Sequence, residues 1–281
     1  MSNIINITAR ACAVIAGVFI VVAAASADVM PSDWRQKLSD EAWEQNLRAA
    51  TFQDREIFED AEQNVLEVKA PYRAEDAALT PISIHTRFPQ TDELYVQRMH
   101  VFIDKNPVPL VGIFDFTPDS GKADLAMRVR VNDHTYVRVI AELNNGELHM
   151  GKSFVRAMGA CSAPPPKSID DSIANMGEMK MKLIGAVEYT KPNLMQLKIK
   201  HPNITGLQPM RIGSHVHPPA HFINTLNISY NGAPIMKAQL TFAISMDPSL
   251  RFFFVPETEG VLTVEATDTK NARWSSEFAV N

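Results

Sequence analysis

Cysteine is scarce in this chain of 281 residues, which contains only Cys12 and Cys161. Cys12 lies in the apolar N-terminal run, so removal of that run would leave a chain with one thiol. A single thiol excludes a disulfide within the chain. In an oxidising compartment, where thiols are usually paired, one odd cysteine indicates a partner outside the chain or a working thiol. The alternative is a buried, inert cysteine.

Several signatures of catalysis are also missing. The sequence contains no Rossmann glycine pattern, no phosphate-binding loop, no haem-attachment motif and no recognisable hydrolase signature. These absences favour a protein that is not an enzyme, and the residues call for no cofactor. The net charge is −5, with Lys and Arg scattered along the chain. We therefore expect no basic stripe and no nucleic-acid partner.

Only one stretch is apolar enough to suggest a membrane-directed segment. It follows Arg10, ends in a small-x-small triplet at 25–27, and turns polar at Asp28. This layout is typical of a secretory signal peptide, residues 1–27, with cleavage after Ala27. An uncleaved membrane anchor is the alternative, although a run of about 17 residues is short for a span. We expect a periplasmic protein with no membrane contact after signal cleavage.

Residues 28–62 are predicted to form a helical N-terminal segment. Ser32 can cap the start of a helix, and Trp34, Leu38 and Trp43 recur near helical spacing. The segment is expected to pack against the rest of the chain, with no chemistry of its own.

From about Val65 apolar residues alternate with polar ones, which is the pattern of half-buried strands. The alternation places Arg128, Arg130 and Arg138 on water-facing sides. Asn-Asn-Gly at 144–146 supplies a tight turn. Short strands without intervening helices predict antiparallel sandwiches rather than a parallel sheet. Strands are expected in residues 64–69, 82–87, 95–103, 110–116, 125–131, 137–142, 147–155, 194–200, 222–230, 235–245, 250–255, 261–268 and 274–280.

Residues 159–192 interrupt the alternation. They open with Gly-Ala-Cys-Ser-Ala and three consecutive prolines, which favour an extended polyproline form, and continue through a methionine-rich piece at 176–181. We interpret them as a cysteine arm and linker between two sandwiches, residues 63–158 and 193–281. The predicted fold class is all-β, with two immunoglobulin-like antiparallel β-sandwiches, a Pro-rich linker and a short N-terminal helical segment.

Cys161 is the centre of the functional hypothesis. Its neighbours Gly159, Ala160 and Ser162 are small, so the sequence predicts an unshielded thiol on an adaptable backbone. Cysteine hydrolases need a histidine base held by a third group, and no such triad accompanies this residue in the sequence. An accessible thiol without that machinery can carry a group that other proteins attach and remove.

Three histidines, His215, His217 and His221, fall within seven residues on a Pro-rich segment. Imidazole is a common ligand of zinc and copper, which makes the three residues weak metal candidates. No cysteine or carboxylate lies nearby in the sequence to complete a site. The alternative is a loop whose histidines hydrogen-bond with backbone and water.

Two sets of matches, in order along the chain, resemble a known family. The first set lies in residues 95–109, 114–118, 124–130, 136–138 and 146–150 and then the cysteine segment, and it resembles the carrier subunit SoxY. The second set lies in residues 199–202, 205–207, 219–224, 230–232, 243–245 and 262–264, followed by Asp268, and it is similar to SoxZ. Together they cover most of residues 63–281. The chain looks like the fused SoxYZ-like carrier associated with quinoprotein dehydrogenases in methylotrophs.

This resemblance implies two immunoglobulin-like sandwiches and a thiol that holds sulfur intermediates, which periplasmic partners load, oxidise and hydrolyse. SoxY is expected to end in Gly-Gly-Cys-Gly-Gly, and Cys161 occupies that place within Gly-Ala-Cys-Ser-Ala. The expected partners are a cytochrome-type oxidant, a hydrolase or a quinoprotein dehydrogenase. Two other functions stay open: a non-covalent binding or assembly module for such a dehydrogenase or its cytochrome, and metal delivery through the histidine segment.

Overall fold

The computed structural model describes residues 34–60, 64–164, 166, 169–209 and 215–281. The predicted signal peptide, residues 1–27, lies outside the described residues. Within the described part, no helix is both long and apolar enough to span a membrane.

The described residues form an all-β protein with short helical pieces. The helical elements are α1 (Trp34–Ala42), a π-helical turn (Trp43–Leu47), α2 (Arg48–Phe52), 3₁₀ turns at Ala77–Leu79 and Pro118–Ser120, and α3 (Ile169–Ala174). The strands are β1 (Phe58–Glu59), β2 (Leu66–Lys69), β3 (Thr80–Thr86), β4 (Val96–Ile103), β5 (Leu110–Phe116), β6 (Leu125–Val129), β7 (Thr135–Leu143), β8 (Leu148–Val155), β9 (Met179–Ile184), β10 (Asn193–Ile199), β11 (Ile223–Tyr230), β12 (Ala233–Leu240), β13 (Ser249–Phe254), β14 (Gly260–Asp268) and β15 (Arg273–Val280).

The strands form two sheets whose inner faces enclose the hydrophobic core. One sheet has the order β1-β8-β7-β4-β5-β12-β11-β14-β15, and the other has the order β2-β3-β6-β13-β10-β9. All pairings are antiparallel except that of β1 with β8. The inward-facing side chains alternate with outward-facing ones, as in Leu125, Met127 and Val129 of β6. The predicted fold class of two immunoglobulin-like sandwiches is confirmed.

Both sheets continue from the first half of the chain into the second. In the larger sheet β5 pairs with β12, from Gly112 opposite Leu240 to Phe116 opposite Met236. In the smaller sheet β6 pairs with β13, with Met127 opposite Leu250 and Ala126 opposite Arg251. One cluster of buried apolar side chains therefore runs through both halves.

The N-terminal helical segment covers part of the outer face of the larger sheet. Trp43 and Phe52 pack on Phe102 of β4 and Ile140 of β7, forming a second, smaller core cluster. The same segment buries Arg138, which alternation alone had assigned to a water-facing side, so that prediction is wrong. The guanidinium of Arg138 is 2.8 Å from a carboxylate oxygen of Asp104 and 2.8 Å from one of Asp40, and it lies over the Trp43 ring.

Regular structure interrupts the predicted linker. Residues 169–174 form α3, and the methionine-rich piece leads into β9, which pairs with β10 along its whole length. Met179, Met181 and Leu183 of β9 pack against the main core. The second half of this segment is therefore an edge strand of the smaller sheet.

The smaller sheet also collects positive charge on its outer face. The residues of β6, β9, β10 and β13 include five cations and no Asp or Glu. We call this group the basic face; it consists of Arg128, Lys180, Lys182, Lys198 and Arg251. The expectation of no basic stripe is therefore wrong for this sheet, because pairing aligns cations that are far apart in the sequence.

Replacement of the buried tryptophan tests the role of the helical segment. Trp43 is 1% exposed, whereas Trp34 of the same segment is 60% exposed. We expect Trp43→Ala to lower the free energy of unfolding by about 3–5 kcal/mol, because it empties the centre of the smaller cluster. The matched change Trp34→Ala should cost less than about 1 kcal/mol. Urea titration followed by circular dichroism measures both values, and equal costs would contradict this packing.

Candidate functional site

Cys161 follows β8 and lies in a turn at the junction of the two halves. Its relative exposure is 0%, and Ala160 before it is also buried. The prediction of an unshielded thiol is therefore wrong in this structure. Gly159 and Ser162 are exposed, and the positive φ of 74° at Gly159 turns the chain inward. The small neighbours permit close packing of the arm rather than exposure of the thiol.

Hydrogen bonds from both halves hold this arm. From the first half, Asn132 Oδ1 accepts from the Cys161 N–H at 3.1 Å. From the second half, Thr205 Oγ1 donates to the Cys161 carbonyl at 2.7 Å, and Gln208 Nε2 donates to the Ala163 carbonyl at 3.1 Å. Asn132, Thr205 and Gln208 therefore form a clasp around the cysteine.

Arg130 brings a buried positive charge to the thiol. The residue directly follows β6 and is 3% exposed, whereas alternation had placed it facing water. Backbone of the second half covers it: Nη1 of Arg130 donates to the carbonyls of Phe242 at 2.8 Å and Ile244 at 2.5 Å. Its Nε has no hydrogen-bond partner among the described residues, and none of their carboxylates lies within ion-pair distance.

Burial determines the charge state of both groups. It raises the pKa of the Cys161 thiol to about 11, and the nearby charge of Arg130 offsets only part of this increase. Burial also lowers the pKa of the Arg130 guanidinium to about 10, which leaves it charged at neutral pH. The resting site is therefore a neutral thiol near a buried cation that has no anionic partner in the described part of the chain.

A cavity of about 180 Å³ lies next to the arm. Arg130, Gln208 and Ala163 contribute to its wall, together with Asp76, Ala78, Leu79, Pro164, Pro166, Pro202 and Met246. The carboxylate of Asp76 is engaged elsewhere, since its Oδ1 accepts from the Ala78 N–H at 2.8 Å. The cavity is thus a mostly apolar space beside the arm into which Arg130 and Gln208 bring polar groups, large enough for a group of a few heavy atoms.

The structure separates the three metal candidates. His215 and His217 are exposed, whereas His221 is buried and its Nε2 lies 2.5 Å from Asp268 Oδ2. His201 completes a buried cluster, with its Nε2 3.6 Å from the same oxygen. Sequence reasoning joined His221 to the wrong partners, because His201 and Asp268 are distant from it along the chain.

The hydrogen bonds of this cluster do not suit a metal ion. The backbone N–H of Asn203 donates to Nδ1 of His201 at 3.0 Å, so neutral His201 carries its proton on Nε2, the atom that faces Asp268. A ligating histidine normally has the opposite arrangement, with its second nitrogen donating a proton. Burial lowers the pKa of His201 to about 4, which keeps it neutral. We assign the cluster a structural role behind the loop that carries Thr205.

Several residues of the site were not identified from the sequence. The alternation in β6 predicted that Arg130 faces water. Alternation cannot show that backbone from the second half of the chain covers the end of this strand. Thr205 lies inside a segment that resembles SoxZ, and this resemblance was the one available signal. Asn132 and Gln208 carry no local signature.

Comparisons with known proteins agree with this organisation. A family model described as "Sulfur oxidation protein SoxY" matches residues 48–161, and one described as "Sulphur oxidation protein SoxZ" matches residues 181–279. The first match ends at Cys161. No curated protein matches the sequence.

Solved structures give weaker likenesses. The sulfur carrier protein SoxY from Chlorobium limicola f thiosulfatophilum is 23% identical with a TM-score of 0.36, over 44% of this chain and 99% of that one. A superoxide reductase (neelaredoxin) from Ignicoccus hospitalis is 16% identical with a TM-score of 0.27, over 45% and 98%.

The two tandem matches and the double sandwich place this chain among the sulfur oxidation proteins. A SoxY domain, whose match ends at Cys161, is followed by a SoxZ domain in one polypeptide. The chain is a fused SoxYZ-like protein.

Alkylation of Cys161 measures how tightly the clasp holds the arm. Near pH 8 the folded protein should react with iodoacetamide at least about 100-fold more slowly than the urea-unfolded chain. The reason is that the pKa of the Cys161 thiol is about 11 in the folded protein instead of 9.0. Below pH 9 the rate should rise about tenfold per pH unit, because the thiolate is the reacting form. Thr205→Val removes one donor of the clasp and should accelerate the reaction about five- to tenfold.

Thr258→Val is the control for this change, because its hydroxyl bonds only with the neighbouring Glu259 carbonyl. Equal rates in the folded and unfolded protein, or equal acceleration in the control, would contradict a stowed arm.

Proposed function

We propose that this protein is a periplasmic carrier, not an enzyme, that holds a sulfur-containing intermediate covalently on Cys161 for partner oxidation enzymes. The tandem SoxY and SoxZ domains support the sulfur-oxidation part of this proposal. We further propose that it belongs with the fused carriers that accompany quinoprotein dehydrogenases, whose dehydrogenase or cytochrome would be a partner.

The observation that carries the proposal is the uncompensated charge of Arg130 beside the thiol. A buried charge without a partner is costly, and an anion placed next to it recovers much of that cost. A sulfur adduct that ends in a sulfonate or a sulfane anion provides such a charge, and the adjacent cavity provides space. The site is therefore better suited to the loaded arm than to the free thiol.

Loading requires an oxidant from a partner. Joining the Cys161 sulfur to an anionic sulfur compound breaks the S–H bond, forms an S–S bond and releases one proton and two electrons. A cytochrome-type partner would accept the electrons. Return of two electrons and one proton from a reductant cleaves the S–S bond and restores the thiol.

The clasp implies two positions of the arm. Loss of three hydrogen bonds, each worth about 1 kcal/mol net, leaves the released arm at about 1% of the population. Release exposes the thiol to a partner active site, and return of the loaded arm shields its adduct from water. This description explains how one thiol is both buried at rest and available for transfer.

Intact mass of protein isolated from its native periplasm tests the carrier function. We expect a mass increment that disappears with reductant, maps to Cys161 and is absent from Cys161→Ser. The size of the increment identifies the cargo. An unmodified thiol under conditions that should load it would contradict the proposal and favour the non-covalent binding or assembly module.

Adducts of opposite charge test the role of Arg130. Cys161 is labelled in mild urea with methanethiosulfonate reagents that attach either a sulfonatoethyl or a trimethylammonioethyl group, and the protein is then refolded. The anionic adduct should melt about 5 °C or more above the cationic one, because a nearby guanidinium attracts the first charge and repels the second by up to several kcal/mol in a protein interior. Arg130→Gln should remove this difference, and equal melting temperatures in the unsubstituted chain would show that the cation does not serve the adduct.

A further inference from the structure

The basic face is an ordered array rather than a chance cluster. Arg251 of β13 lies beside Gln196 of β10, which lies beside Lys182 of β9. A second row, two residues along, places Ser249 beside Lys198 and Lys198 beside Lys180. Neighbouring strands are about 4.8 Å apart and alternate residues about 6.8 Å apart, so several cations share a patch about 15 Å wide.

Most of these cations have no acidic partner. Among the described residues, no carboxylate lies within 4.0 Å of Arg128, Lys182, Lys198 or Arg251, whereas Lys180 pairs with Glu178. Nε of Arg128 is buried without a hydrogen-bond partner. Like charges at neighbouring positions of a sheet repel one another, so the array lowers stability unless an anion binds it. The chain as a whole has a net charge of −5, so the excess of cations is a local feature of this face.

The surface of the basic face is concave. One hollow of about 320 Å³ lies between Arg128, Lys198 and Arg251, with Ser249 and Gln196 in its wall. A second hollow of about 320 Å³ continues from Arg128 and Lys198 toward Lys180 and Lys200, and its wall also includes the acidic residues Glu178 and Asp247. The donors therefore line a continuous groove across four strands.

The groove ends close to the cysteine site. Arg128 lies two residues before Arg130, whose charge acts on Cys161. Two residues of extended chain span about 6.6 Å, so the groove ends about that far along the chain from Arg130.

We propose that the basic face is a docking surface for an acidic patch on a partner protein. Cations that alternate with neutral donors across several strands suit several separate carboxylates better than one small anion. The four strands present no exposed aromatic ring for base stacking, since Phe253 is half-buried beneath Lys122, and this disfavours single-stranded nucleic acid. The inference does not require cargo on Cys161, so it stands or fails independently of the carrier function.

Two triple variants with the same net charge provide the test. The first, Lys182→Gln with Lys198→Gln and Arg251→Gln, neutralises the basic face. The control, Lys237→Gln with Lys270→Gln and Arg273→Gln, neutralises three exposed cations on strands of the larger sheet and on the turn between β14 and β15. None of the six belongs to an ion pair among the described residues, so both variants should fold, as circular dichroism will verify.

Fluorescence anisotropy with a labelled peptide of about 20 glutamates measures binding at about 20 mM and about 200 mM NaCl. We expect binding at low salt that weakens at high salt, at least a tenfold weaker affinity in the first triple variant, and less than a twofold change in the control. Equal weakening in both variants would show that only net charge matters and would overturn the proposal. Tighter binding of a single-stranded DNA of the same length would overturn it in favour of nucleic acid.

A photo-crosslinking residue at Gln196 extends the test to cells. Cross-linked peptides that are rich in Asp and Glu, and that disappear in the first triple variant, are the expected result. No adduct, or the same adducts from a crosslinker at Lys237, would contradict a docking role for this face.

Discussion

Strand pairing between the two halves is the constraint on which the rest of this structure depends. Hydrogen bonds between β5 and β12 and between β6 and β13 make both sheets continuous. The main core therefore runs through both halves and cannot be divided without exposing apolar surface. The same pairing brings the carbonyls of Phe242 and Ile244 over the end of β6, which determines the environment of the cysteine.

That environment explains how a small-residue arm becomes a protected site. Burial disfavours the thiolate, whereas the cation of Arg130 favours any negative charge placed beside it. The clasp draws on Asn132 from one half and on Thr205 and Gln208 from the other. Because the two halves share one polypeptide, these partners stay at a fixed effective concentration, with no separate subunit to lose.

The outer faces of the two sheets have different roles. The N-terminal helical segment covers part of the larger sheet, where Trp43 and Arg138 are buried. The smaller sheet leaves its outer face open on four strands, and this face carries the unpaired cations. The outer face of the larger sheet thus contributes to stability where the helical segment packs on it, whereas the outer face of the smaller sheet presents charge to solvent.

The sequence by itself determined the all-β class and nearly every strand, because alternation and composition are local properties of the chain. It also pointed to two sandwiches through the resemblance to SoxY and SoxZ. Only the tertiary structure decided that Cys161 is buried, that Arg130 and Arg138 do not face water, and that His221 pairs with Asp268. The same holds for the basic face, whose cations come from four separate segments. Each of these features depends on which strands become neighbours, and pairing between distant segments leaves no mark in the local pattern of either one.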